Sequence, residues 1–317
     1  MFKIAIVGTG LIGTHHVAAI KEVEGCELVA LCDINEAVVK PLAEEYGVPY
    51  FLDYKEIPDK VECDAVILNL PHGLHCESTV FFLEKGMHVL LEKPMANTVE
   101  ECDKMIAAAK KSGKQLAIAH PQRYYDAAKK IKAICESGEL GKLVMITEHR
   151  SINYFLDSRP RWFLSKKAAG GGIVMNYGAH ALDKIKSITG AKVTSICASC
   201  DNFLTDHDVE GHAQILGKLD NGASFTVTFS GYGRFSYETM YYFTQGAIRS
   251  THSSTLEINR GNKIWVKDTE CRPDSKVIFQ EIEEFVKLMN GEESTLPTPE
   301  FGREVIASIE KIYENQI

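Results

Sequence analysis

The sequence predicts an α/β protein with a doubly wound parallel sheet over residues 1–120 and a second α/β part over 121–317 that carries an antiparallel sheet. Three observations lead there. Five short, continuous apolar runs alternate with helix-like segments in the first part. A glycine-rich turn follows the first of those runs directly. After His120 the rhythm changes to alternating strands separated by Gly and Asn turns.

The five runs are FKIAIV, ELVALC, DAVILNL, HVLL and QLAIA. Continuous apolar runs suit parallel strands covered on both faces. The segments between them carry helix punctuation. NEAVVKPLAEEYG closes on Gly47, HCESTVFFLEKG on Gly86, and TVEECDKMIAAAKKSG on Gly113. In the last of these, Thr98 and Glu101 have capping-box spacing and lysines crowd the final turn.

Beyond His120, YYDAAKKIKAICESGELG reads as a helix ending at Gly138. The strand candidates that follow are KLVMITEHRS, AKVTSICAS, EGHAQILGKL, ASFTVTFSGY, YETMYYFTQ, TLEI and KIWV, with Asp220-Asn221-Gly222 as a hairpin turn. Polar and apolar residues alternate in SFTVTFS, which predicts one face packed on helices and one left for a partner subunit or a substrate. IFQEIEEFVKLMNG and EFGREVIASIEKIYENQ return the chain to helix.

Composition narrows the function. The net charge of −8 gives no electrostatic footing for nucleic acid or an anionic membrane surface. No apolar stretch approaches the ~20 residues of a membrane span. The opening MFKIAIVGTG reads as a strand, not a signal peptide. Nine scattered cysteines, an odd count, suit free thiols in a reducing cytoplasm. Cys197 and Cys200, three apart on a predicted strand, point to opposite faces, and no second pair completes a metal site, so no metal is expected.

Gly8-Thr9-Gly10-Leu11-Ile12-Gly13 follows a strand and opens a helix, the context that gives G-x-G-x-x-G its meaning as a dinucleotide-binding turn. The first Gly makes the turn, the second admits a pyrophosphate, and the third lets helix pack on strand. The helix N-terminus then faces the negative charge. Asp33, at the end of the second run, can accept from both ribose hydroxyls and repels a 2′-phosphate, which favours NAD over NADP. Its other reading is a helix N-cap.

Ligands in open α/β sheets lie at the carboxyl ends of the strands. Asn69, Pro71, His72 and His75 follow the third run, Glu92-Lys93-Pro94 the fourth, and His120, Gln122 and Arg123 the fifth. Pro94 restricts Lys93 and gives its ammonium a direction. Spacing alone leaves Lys93 open between an active-site group and a surface charge. In GGGIVMNYGAHALDKIKSITG, the triple glycine suggests close approach of a ligand or another chain. Asn176, His180 and Asp183, spaced four and three, share a predicted helix face. That face reads either as an oriented general base or as an ordinary polar surface. Arg123, Tyr124, Arg159 and Trp162 are candidates for a substrate wall.

The glycine turn with His16 after it, GMHVLLEKPMA, GELGKL and GGGIVMNYGAHALD, in that order, resemble the family of glucose–fructose oxidoreductases, inositol dehydrogenases and rhizopine-catabolism dehydrogenases. The resemblance covers nearly the whole chain. It implies a Rossmann domain followed by an α/β domain with a large open, mostly antiparallel sheet that mediates self-association. It implies NAD-dependent hydride transfer at a secondary hydroxyl of a sugar, cyclitol or related polyol. It makes Lys93 an active-site residue beside the nicotinamide and His180 the acid/base. Asn176 departs from the family pattern, which has aspartate there. An amide orients His180 but offers no charge to an imidazolium, which shifts weight to Lys93. Two other readings stay open: glycosidic elimination through transient oxidation by retained NAD, and a non-catalytic dinucleotide-binding regulator.

Overall fold

The computed structural model describes residues 1–204, 206–252, 255–269, 271 and 276–317. Through the first part run β1 (Phe2–Val7), α1 (Leu11–Ile20), β2 (Cys26–Cys32), α2 (Glu36–Tyr46), β3 (Tyr50–Phe51), α3 (Ile57–Lys60), β4 (Ala65–Leu68), α4 (His75–Glu84), β5 (His88–Glu92), α5 (Val99–Ser112) and β6 (Leu116–Ala119). Next come α6 (Asp126–Ser137), β7 (Leu143–Asn153), α7 (Lys166–Ala169), α8 (Ala179–Thr189), β8 (Val193–Asp201), β9 (His212–Leu219), β10 (Ser224–Ser230), β11 (Tyr232–Phe243), β12 (Gly246–Thr251), β13 (Thr255–Asn259) and β14 (Val266–Lys267). The chain ends with α9 (Val277–Met289) and α10 (Pro299–Glu314).

The chain forms two compact units. One holds Met1–His120 with Lys276–Glu304, the other Pro121–Ser275 with Val305–Ile317. In the first unit six strands pair in the order β3-β2-β1-β4-β5-β6, every pair parallel. The four residues of β4 and the last four of β1 and β5 are buried, as strands covered on both faces must be. The order reverses between β1 and β4, so Gly8 and Asn69 leave neighbouring strands at the switch point where such sheets place ligands. Helix ends follow the punctuation. Thr98 Oγ1 accepts from Glu101 N at 3.2 Å, and Gly113 turns left-handed at φ 67°. Glu101 reaches back to Asn97 N at 3.0 Å, one residue earlier than in the usual capping box.

Among the described residues, the second unit carries eight strands in the order β14-β13-β12-β11-β7-β10-β9-β8. Of these described pairs, all are antiparallel except β7 with β10. β7 alternates strictly in its second half: Ile146, Glu148, Arg150 and Ile152 are buried. Two of those inward residues are charged, and they shape the site described below. Phe225 on β10 faces Gly217 on β9 across the ladder, and a Cβ on Gly217 would lie 2.1 Å from the Phe225 ring. The glycine leaves room for a fully buried aromatic.

Both tryptophans, Trp162 and Trp265, belong to the second unit, so tryptophan fluorescence in urea reports its unfolding. Phe225→Ala removes a fully buried ring above a glycine and is expected to lower that unit's stability by about 3–5 kcal/mol.

Candidate functional site

In the first unit, the end of β1 is held on three sides by backbone. Gly8 N donates to Cys32 O at 2.7 Å, and Asn69 N donates to Val7 O at 2.8 Å. A Cβ on Gly8 would lie 2.4 Å from Asn69 O, and one on Gly13 would lie 2.0 Å from Gly8 O. No side chain fits at either position. Gly10 is different: a Cβ there meets nothing within 4 Å. It is exposed, at the N-cap of α1, with no side chain supplying a cap hydrogen bond. The first amides of α1 thus stand at an open surface where an anion can be received. The neighbouring Leu11 is exposed and Ile12 half-buried.

Asp33 closes the turn from the side. Its Oδ2 accepts from Thr9 N at 2.8 Å and Thr9 Oγ1 at 3.1 Å, and its Oδ1 accepts from Asn35 N at 2.9 Å. The N-cap of α2 is Asn35, whose side chain accepts from Ala37 N. Asp33 is therefore no cap. Three of its roughly four lone-pair sites are so engaged, which leaves one on Oδ1 beside the turn.

The loop residues take distinct places. Asn69 Nδ2 donates to Gly8 O at 3.4 Å. Pro71 precedes a short turn that carries His72, which is buried. His75 is fully buried with Nδ1 at 2.9 Å from Pro94 O and Nε2 at 2.8 Å from Leu70 O. Burial lowers its pKa, against the pull of those carbonyls. His75 ties the Leu70 loop to the Pro94 loop. Glu92 is buried at the end of β5 and Lys93, half-buried, follows across a cis peptide to Pro94.

In the second unit, the triple glycine serves the chain itself. Gly170 caps α7 at φ 77°. A Cβ on Gly171 would lie 2.0 Å from the Tyr313 hydroxyl, and one on Gly172 would lie 2.1 Å from Glu210 O. The expected close approach is thus made by the chain's own Tyr313 and Glu210, in place of a ligand or another chain. The Glu210 carboxylate accepts from Gly172 N, Val174 N and Tyr313 Oη, all within 2.9 Å. It satisfies the free amides where the next helix begins.

That helix begins with a π turn, Val174–Gly178, and continues as α8. Asn176 lies inside the π turn and is buried; His180 is half-buried on the first turn of α8. π turns commonly displace a side chain at functional sites. The Tyr177 and His180 rings lie 6.4 Å apart. Asp183 is fully buried and accepts from Arg123 Nε at 2.9 Å and Nη2 at 2.7 Å. Arg123 is thereby occupied in fixing α8. Tyr124 is core, 5% exposed. Arg159 lies over the Tyr154 ring at 4.2 Å, and Trp162 stacks on Phe163 at 3.6 Å. Burial raises the Tyr154 phenol well above its ordinary range, with Arg159 and Asn176 pulling the other way.

Composition and spacing gave no sign of what lies beneath α8. Lys184, one turn past His180, is buried against Glu148 of β7 and donates to Tyr237 Oη at 2.7 Å and Thr239 Oγ1 at 2.8 Å. Burial works to lower its pKa, but Glu148 and Tyr237 together outweigh it and the ammonium sits above its ordinary value. Arg150 stacks on Tyr237 at 3.9 Å and near Tyr177 at 4.9 Å. The only available sequence signal was charge at inward positions of an alternating strand.

A six-stranded parallel sheet with an open glycine turn at its switch point defines a dinucleotide-binding unit, here joined to a mostly antiparallel sheet. The chain belongs to the Gfo/Idh/MocA oxidoreductase family: residues 2–120 match its NAD-binding Rossmann fold and residues 128–249 its C-terminal domain. It is 29% identical over 213 residues, 66% of this chain and 53% of the relative, to the 1-carboxy-3-chloro-3,4-dihydroxycyclohexa-1,5-diene dehydrogenase of Comamonas testosteroni. It is 31% identical over 192 residues, 59% of this chain and 54% of the relative, to the D-glucoside 3-dehydrogenase of Escherichia coli (strain K12). The match thus spans about half the length of these two relatives. The fold is shared with the aldose-aldose oxidoreductase of Caulobacter crescentus, at TM-score 0.90 and 22% identity, covering 99% of this chain and 97% of that one.

Gly10→Ala and Gly13→Ala separate the two uses of glycine. Gly13→Ala is expected to lower the thermal midpoint, because its Cβ collides with the Gly8 carbonyl. Gly10→Ala is expected to leave the midpoint unchanged and to weaken NAD binding in calorimetry by about tenfold or more. Lys184→Met, which leaves buried Glu148 facing Arg150 at 3.7 Å without its closer ammonium, is expected to cost about 3 kcal/mol in urea, and adding Glu148→Leu is expected to recover only part of that loss, because Arg150 then loses its carboxylate.

Proposed function

We propose that this chain is an NAD-dependent dehydrogenase acting on a secondary hydroxyl of a sugar, cyclitol or related polyol. The observation that carries the reading is the open amide cradle at Gly10 with Asp33 beside it at the switch point. Family membership and the dehydrogenases named among its relatives support it.

The residues present fit a dinucleotide. Gly10 and the first amides of α1 would hold the pyrophosphate. Asp33 would accept from the adenosine ribose hydroxyls, and its charge disfavours a 2′-phosphate. Bound NAD supplies the hydride acceptor. The protein's own work is to hold the substrate oxygen and move its proton. Lys93, at the carboxyl end of β5, is the group of the first unit proposed to hold that oxygen. His180 is the group of the second unit proposed to accept the hydroxyl proton. Asn176 supplies orientation without charge. Arg159 and Trp162 remain proposed substrate contacts. Arg123, Tyr124 and Asp183 serve by fixing α8 and the core. His72, His75 and Glu92 are proposed to shape the cofactor loops from behind.

Self-association is proposed through the outer face of the eight-stranded sheet. Leu216, Thr226, Thr147 and Met240 form a row across four neighbouring strands there, and Leu216 is 53% exposed.

NADH formation at 340 nm across cyclitols, aldoses, uronic acids and amino sugars tests the reading. Turnover is expected with NAD, and Lys93→Ala or His180→Ala is expected to lower kcat by about 10²–10⁴. Silence across the panel with NAD still bound would contradict it. Substrate consumed without net NADH would favour elimination through retained NAD. Asp33→Ala is expected to weaken NAD binding by about tenfold and narrow its preference over NADP.

A further inference from the structure

Within the second unit, an unbroken run of hydrogen bonds joins Tyr313, near the end of α10, to the π turn that opens α8. The Tyr313 hydroxyl donates to Glu210 Oε1 at 2.9 Å. Gly172 N donates to Glu210 Oε1 and Oε2 at 2.9 and 2.8 Å, and Val174 N donates to Oε1 at 2.9 Å. The Gly172 carbonyl in turn accepts from Asn176 N at 3.0 Å. Gly172 thus meets the carboxylate through its N–H and Asn176 through its C=O.

Both ends of this run are fixed by other contacts. Ala198 N donates to Asn315 O at 3.1 Å and Ile317 N donates to Ala198 O at 2.9 Å, which holds the end of α10 against β8. Ahead of Glu210, Asp208 Oδ1 accepts from Lys166 N at 2.8 Å and Val209 is buried. Glu210 O accepts from Ile173 N at 3.1 Å, so one residue receives three successive amides, 172 to 174. A local Ser, Thr, Asp or Asn is enough to cap a helix and contributes about 1 kcal/mol. Here Ile173, at the N-cap, supplies no such bond, and the carboxylate comes from 36 positions beyond Val174. A distant cap adds what a local one lacks: it ties the direction of the turn to the loop and helix that hold it. The space is also closed, since a Cβ on Gly171 would lie 2.0 Å from the Tyr313 hydroxyl.

We propose that Glu210 and Tyr313 are positioning residues: the Tyr313 hydroxyl sets the Glu210 carboxylate, the carboxylate sets Gly172, and the π turn so held aims Asn176 and His180. This rests on the reading of His180 as the group that accepts the hydroxyl proton. Tyr313 acts only through Glu210, 103 positions before it, and neither touches the reacting atoms.

The test compares Tyr313→Phe, Glu210→Gln and the double variant in the full chain. Carbethoxylation of His180 by diethyl pyrocarbonate is followed by peptide mass spectrometry, with exposed His15 as the internal control. Each single variant is expected to change the His180 rate relative to His15 by about threefold or more. Glu210→Gln is expected to lower kcat about tenfold and Tyr313→Phe about threefold, with KM for NAD nearly constant in both. Because Tyr313 works through Glu210, the double variant is expected to be no worse than Glu210→Gln alone. A purely structural role would lower the thermal midpoint and leave kcat and the His180 rate unchanged; that result overturns the proposal. Losses that multiply in the double variant would overturn the route through Glu210. If Glu210→Gln does not fold, Tyr313→Phe decides by the same two readouts. Full turnover by His180→Ala would instead refute the role given to His180, and the labelling rates would still judge the link from Tyr313 to the π turn.

Discussion

The first unit depends on one steric constraint, the closeness of three backbone segments at the end of β1. Gly8 and Gly13 touch each other and Asn69 so tightly that neither tolerates a Cβ. That contact sets where α1 begins and leaves its first amides beside Gly10, the glycine of the turn with open space around it. Asp33 then packs its carboxylate on Thr9 and fixes the turn's outer wall. The chemistry of anion binding follows from this arrangement without any basic side chain: helix amides supply the positive end.

The second unit solves a different problem. Its helix α8, with the π turn that opens it, lies on a sheet with charged inward residues. Glu148 faces Lys184 and, at 3.7 Å, Arg150 there, and Lys184 also donates to Tyr237 and Thr239. Arg123 pins the opposite flank through Asp183. Buried pairs of this kind contribute little net stability compared with apolar packing, but they are costly to break singly. Their effect is to allow one orientation of α8. The π turn that opens it is held at its start by Glu210, which explains why two glycines must precede it.

Much of this was legible in the sequence. Continuous apolar runs located β1, β2, β4, β5 and β6 to within two residues at either end, because strands covered on both faces have no polar alternation to blur them. Glycine C-caps fixed the ends of α2, α5 and α6. The two-residue β3 was not legible, since two residues have no period, and neither was β12, whose GAIRST lacks a strong apolar pattern. The parallel pairing of β7 with β10 is set by long-range register that local pattern does not encode. At the site, Gly10 and Asp33 were readable from motif spacing. The partnerships of Arg123 with Asp183 and of His16 with Glu92 join residues 60 and 76 positions apart, and a single sequence gives no signal for such contacts. The triple glycine was noticed for the right reason, close approach, but the approaching groups belong to the same chain.

The central claim is that the open amides at the start of α1, bounded by Asp33, receive the dinucleotide. Amide hydrogen exchange with and without NAD, resolved to short peptides, tests it most directly. Protection concentrated in the peptides spanning residues 8–14 and 33–35 is the predicted result. NAD binding that leaves those peptides unchanged and protects another part of the chain would contradict the account.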